Sequence, residues 1–140
     1  MSNKERKELL LRVNAQLSYA KDELKKAERF AEENEKVHLV ISLFSVFESC
    51  LNIMKDIKDN RPLREHEEIT KYFKWYFEMG FFKKDYSNDH LKLNQYRKRA
   101  QYEQYSGAPR IPEISSLKSF LNKAQDLISE TENMIKKVRD

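Results

Sequence analysis

The chain has 140 residues, 27 Lys+Arg against 23 Asp+Glu, and a formal net charge of +4. That length gives one domain, residues 1–140, with a single core. With 2 glycines, 3 prolines and 36% charged residues, the composition fits a few long helices better than many short strands, and +4 is too mild to mark a nucleic-acid binder by itself.

Ser2-Asn3-Lys4-Glu5 has capping-box spacing, a hydroxyl followed three residues later by a carboxylate. Beyond it Leu10, Val13, Leu17, Ala20, Leu24, Ala27 and Ala31 recur at alternating steps of three and four. This predicts a first helix from Lys4 to Glu33 with one apolar seam and a solvated Lys/Glu face. The charged start, MSNKERKE, is unlike a signal peptide, and a cytoplasmic location is expected. Asn34 and Glu35 mark a junction.

A second helix is predicted from Lys36 to Asp59. Its apolar residues cover most of the circumference, so several neighbours must bury it at once. His38, Ser42, Ser45, Glu48, Ser49 and Asn52 interrupt the run, which favours a core helix over a membrane span. The single Cys50 excludes an intrachain disulfide and reads as a small buried hydrophobe. After a turn at 58–62, a third helix is predicted over Leu63–Met79. Its stripe is Ile69, Tyr72, Phe73, Tyr76 and Phe77, Trp75 adds bulk, and Gly80 fits the left-handed position that ends a helix.

Ser87 or Asn88 can cap a fourth helix, packed through Leu91, Leu93, Tyr96 and Ala100. After a break at Gly107–Pro112, a fifth helix shows Ile114, Leu117, Leu121, Ala124, Ile128, Thr131, Ile135 and Val138, a regular seam with one polar interruption. The expected fold is all-α, an antiparallel up-and-down bundle of four to five helices.

The stretch with most chemical character is Leu91–Tyr105, LKLNQYRKRAQYEQY. Between Phe82 and Arg110 the basic residues 83, 84, 92, 97, 98, 99 and 110 outnumber the acidic 85, 89 and 103. Arg97, Lys98 and Arg99 can clamp phosphate, a task suited to arginine's planar fork. The plainer reading is a solvated basic face paired with Glu103. Tyr102 and Tyr105, three apart, can stack bases or pack against the last helix.

Three features resemble the HEPN ("higher eukaryotes and prokaryotes nucleotide-binding") family of helical domains. Phe44-Ser45-Val46-Phe47-Glu48-Ser49 resembles the aromatic and small-residue signature of that family's second helix. Arg64-Glu65-His66, Tyr72-Phe73 and the run from Phe77 to Lys84 resemble its histidine, aromatic helix, glycine and basic turn. Arg97-Lys98-Arg99-Ala100-Gln101-Tyr102 resembles its arginine-x4-histidine/tyrosine motif.

The resemblance implies a homodimer whose arginine motifs line a shared cleft. It also implies membership of a toxin–antitoxin or defence pair with a nucleotidyltransferase antitoxin, and RNA or nucleotide binding. Catalytic members are metal-independent ribonucleases, which makes Arg97 and Tyr102 the candidate catalytic residues. Tyrosine stands where catalytic members carry histidine, and an unperturbed pKa of ~10 suits it poorly to acid–base work. Gln101 replaces the variant's usual aspartate, and Tyr105 sits one residue beyond the position that partner enzymes modify in some members.

Five residues along an ideal helix is roughly 140° off the same face, so Arg97 and Tyr102 converge only if the helix loosens or across a dimer. Glu48 and Asn52, polar and four apart on the buried helix, face that cleft near Arg97 or satisfy each other and a neighbouring helix. His38, His66 and His90 are scattered without metal-site spacing, so no metal or other cofactor is expected. The other class of function weighed is a non-catalytic helical module that binds a partner nucleotidyltransferase.

Overall fold

The computed structural model describes residues 1–58, 66–101 and 110–140, with side chains from Thr70 onward in the helix that begins at His66. Among the described residues there are five helices and no strand: α1 (Asn3–Glu32), α2 (Lys36–Lys58), α3 (His66–Glu78), α4 (Ser87–Gln101) and α5 (Ile114–Arg139).

Local signals set most of the ends. Ser2 Oγ accepts the Glu5 N–H at 3.1 Å and starts α1. α1 closes in a Schellman turn: Asn34 N–H donates to Ala31 O and Glu35 N–H to Phe30 O, with Asn34 at φ 59°. α3 ends the same way, Gly80 N–H on Phe77 O and Phe81 N–H on Tyr76 O, with Gly80 at φ 82° as its position predicts. The start of α4 differs from expectation. Tyr86 O accepts the first helical N–H, from His90, and the Asp85 carboxylate accepts from Ser87 N–H at 2.9 Å. The cap is therefore an Asx-type turn upstream of Ser87 and Asn88.

α2 packs against all four other helices. Arg12 and Gln16 reach Asp56, so α1 and α2 are antiparallel. Lys21 pairs with Glu132 and Lys36 with Glu113, which sets α5 antiparallel to α1 and parallel to α2. Asp89 with Lys123 and Tyr96 with Phe120 set α4 antiparallel to α5. α1, α2, α4 and α5 thus run up, down, up, down, with α2 and α5 meeting across the centre. α3 lies outside this group, against α4 and the second half of α2.

The core is continuous through Val13, Leu43, Phe47, Leu51, Met54, Leu93, Leu117 and Leu127. α2 is long and apolar enough to cross a membrane, yet 61% of its apolar window is buried inside the bundle. It is a core helix, with one less buried strip through Ser45, Glu48, Ser49, Asn52 and Asp56. Beside it Phe47, Phe73, Phe82 and Tyr86 pack with centroids 5.7–6.2 Å apart, mostly edge to face. The Glu130 carboxylate accepts from the Tyr86 hydroxyl and from Lys83 N–H, tying the α3–α4 connection to α5.

Several expected packing positions are displaced. Leu9 rather than Leu10 is the buried leucine of the first α1 turns, while Phe77 and Leu91 are exposed. α3 is covered on one side only, so its aromatics outnumber the buried places available. The polar interruption at Thr131 is satisfied by its own helix, the hydroxyl donating to Leu127 O at 2.7 Å.

Phe47→Ala removes a fully buried ring at the meeting of α2, α3 and the turn before α4. A loss of about 3–5 kcal/mol is expected in urea unfolding. Burial pushes the Cys50 thiol up from 9.0 to about 12. Between those values the folded chain keeps a proton that the unfolded chain releases. The stability from this group is whole below pH 9.0 and drains away as the pH climbs toward 12. Burial and the bond to Glu130 raise Tyr86 as well, in the same sense. The urea midpoint should fall across this interval, and a thiol reagent should label Cys50 only on unfolding.

Candidate site in the seam between α2 and α4

Four polar side chains recur along α4 at steps of four, three and four: His90, Asn94, Arg97 and Gln101. At 3.6 residues per turn that spacing makes one stripe. The first three are buried, where α4 lies on α2.

Arg97 is at the centre. It is 9% exposed, and its guanidinium carbon sits 4.5 Å from the centroid of the Phe44 ring of α2. Nη1 donates to Gln101 Oε1 at 2.6 Å and Nη2 to Asn94 Oδ1 at 2.9 Å. Nε has no hydrogen-bond acceptor among the described residues. No carboxylate among the described residues lies within ion-pair distance of the group; Asp89, on the same helix, pairs with Lys123 at 2.7 Å. A cation that stays protonated in proteins is thus enclosed by two neutral amides and a ring.

His90 is fully buried two turns earlier. Its Nδ1 is 2.8 Å from Thr70 Oγ1 of α3, and its Nε2 is 4.0 Å from Glu48 Oε1. Its ring lies 5.4 Å from Phe44 and 5.5 Å from Phe73. Phe44 therefore meets both His90 and Arg97 and spaces them along the seam. Among the described residues no three of His, Cys, Asp and Glu are placed to share a metal ion.

Of the residues singled out in the sequence, Arg97 is in the seam, not on the solvated face of the plainer reading. Lys98 and Arg99 are half-buried beside it. Tyr102 and Tyr105 lie outside the described residues. Glu48 is half-buried and faces His90. Asn52 corrects its expectation: it is exposed, on the open strip of α2, so Glu48 and Asn52 are not a buried polar pair. His90, Asn94, Gln101 and Thr70 were missed. The signal was present, since 90, 94, 97 and 101 carry the same three-four alternation as an apolar seam. Their polarity hid it.

Compared with protein-family models, with curated proteins and with solved structures, the chain matches none.

An enclosed guanidinium with no carboxylate beside it among the described residues is costly to the fold. Arg97→Met fills the same space without charge and should leave the urea midpoint unchanged or raised. A fall of more than about 2 kcal/mol would mark Arg97 as a structural clamp of the seam.

Proposed function

We propose that the chain is an RNA-binding helical bundle of HEPN type that holds a backbone phosphate at Arg97. In this reading it acts as the toxin-side component of a toxin–antitoxin or defence pair. The observation that carries it is the nine-tenths buried guanidinium whose partners among the described residues are neutral. Buried charges are normally paired, and an anion is the partner that completes this one. The planar fork matches phosphate in two-point contact. Gln101, which holds Nη1, is itself exposed, so turning its amide aside opens the fork to solvent. Lys98 and Arg99 follow directly on the helix and supply charge for flanking phosphates.

Binding is the activity the site supports best. Cleavage needs a group to take the proton of the RNA 2′-hydroxyl. Arginine keeps its proton, and His90 is enclosed and held by Thr70. Slow cleavage in metal-free buffer is the corresponding expectation.

The test is the affinity of labelled single-stranded RNA for wild type and Arg97→Ala, with solution mass measured alongside. Loss of a charge-assisted contact should weaken binding about ten- to hundred-fold and lower the salt dependence. Unchanged affinity in Arg97→Ala would overturn the reading.

A further inference from the structure

Trp75 is the chain's single tryptophan and is 47% exposed. Its position is fixed from beneath. The indole lies on Tyr76 with ring centroids 5.8 Å apart and planes inclined by 14°, and Tyr72 is also 5.8 Å away. Tyr76 in turn is 6.0 Å from Tyr72 and 6.0 Å from Phe81. Two ammonium groups border this row. Lys55 Nζ is 3.9 Å from the Tyr72 centroid, and Lys58 Nζ is 4.2 Å from that of Phe81.

Among the described residues neither lysine has a carboxylate within ion-pair distance. Asp56, between them in sequence, is turned to α1 and held by Arg12 and Gln16. Lys71 and Lys74 are exposed on α3, where Glu78 is the acidic residue among the described side chains. The face thus offers flat rings for stacking and cations for phosphate, side by side.

We propose that α3 around Trp75, together with the end of α2, is a stacking platform for single-stranded nucleic acid, distinct from the Arg97 seam. The proposal rests on the reading that the chain binds RNA, and assigns the segment flanking the bound phosphate to this face. A base stacks on the Trp75 indole, which Tyr72 and Tyr76 support from behind. Lys58, exposed, meets the adjoining phosphate, while the ammonium of Lys55 adds positive potential from within. Charge complementarity selects this occupant: an apolar protein partner would leave the exposed Lys58, Lys71 and Lys74 without counter-charges. An acyl-chain surface would make no use of ring planes supported from beneath. A duplex keeps its bases stacked on each other and cannot use the platform.

The experiment uses the emission of Trp75, which as the single tryptophan reports on this face alone. The intact protein is titrated with a short oligouridylate, with a duplex of the same length and with anionic phospholipid vesicles, and is also diluted without ligand. Quenching by the single strand, weakened by salt, is expected; in Arg97→Ala it should need more RNA but reach the same amplitude at saturation. On labelled oligouridylate, Trp75→Ala should weaken binding about five- to hundred-fold, and Lys58→Glu should reduce both affinity and salt slope. Both residues are exposed, so helix content should be retained and is checked by circular dichroism.

RNA binding with silent Trp75 emission and an unaffected Trp75→Ala overturns the platform and leaves the Arg97 reading standing. The reverse pattern, loss in Trp75→Ala but not in Arg97→Ala, keeps the platform and removes the Arg97 reading. Emission that answers to vesicles or to dilution but not to RNA overturns it in favour of a membrane or a second copy. No RNA binding at all ends both.

Discussion

The fold depends on enclosing α2. Leu39, Val40, Leu43, Val46, Phe47, Cys50, Leu51, Ile53 and Met54 have almost no exposure and make one broad apolar arc around the axis. An apolar arc that wide loses free energy wherever water reaches it, at roughly 25 cal/mol per Å². It therefore needs several neighbours, which leave open only the strip through Ser45, Glu48, Ser49, Asn52 and Asp56. α1, α5 and α4 provide three, and α3 closes the second half of the helix. The up-and-down order follows, because short connections such as Glu33–Glu35 return the chain beside the helix it has just left.

That constraint decides what a polar residue facing α2 can do. Ser45, on the less buried strip, donates back to Ile41 O and costs little. Thr131 does the same within α5. Arg97 has no such local exit. Nη2 and Nη1 find Asn94 and Gln101, one turn away on either side along its own helix, Nε has no acceptor among the described residues, and the ring of Phe44 lies against the group. α4 thus supplies the polar partners of Arg97 from its own length, while His90 takes its partners from α3 and α2, at Thr70 and Glu48.

The class of fold was legible because each helix carries a signal of its own. Ser2, Asn34 and Gly80 mark ends by side-chain or backbone chemistry, and the α1 and α5 seams follow from period alone. Arg97 stands out in the sequence through a linear motif, which says nothing of its surroundings. Its distance to Tyr102 along the chain drew attention past the end of α4, whereas its neighbours in space stand before it. Asn52 was misplaced for a related reason. A helix apolar nearly all round hides where its one open strip runs, and only the positions of α3 and α4 reveal it. The exposure of Trp75 was equally illegible, because period assigns a residue to a face but cannot say whether that face is covered.

Arg97 on Phe44 and Lys55 on Tyr72 share one physical arrangement. In each a cation at α2 is held by the face of an aromatic ring and by no carboxylate among the described residues. The two places are eleven residues apart along α2, about 16 Å. An ion pair would have fixed these side chains equally well, but it would have cancelled their charge. A ring attracts the cation through its quadrupole and carries no net charge, so the positive potential survives. With a net charge of only +4 spread over the chain, uncancelled positions matter more than the total. The carboxylates of α2, Glu48 and Asp56, are turned to His90 and to α1, so among the described residues these two cations keep their charge, at the Arg97 seam and beside Trp75, for an anion.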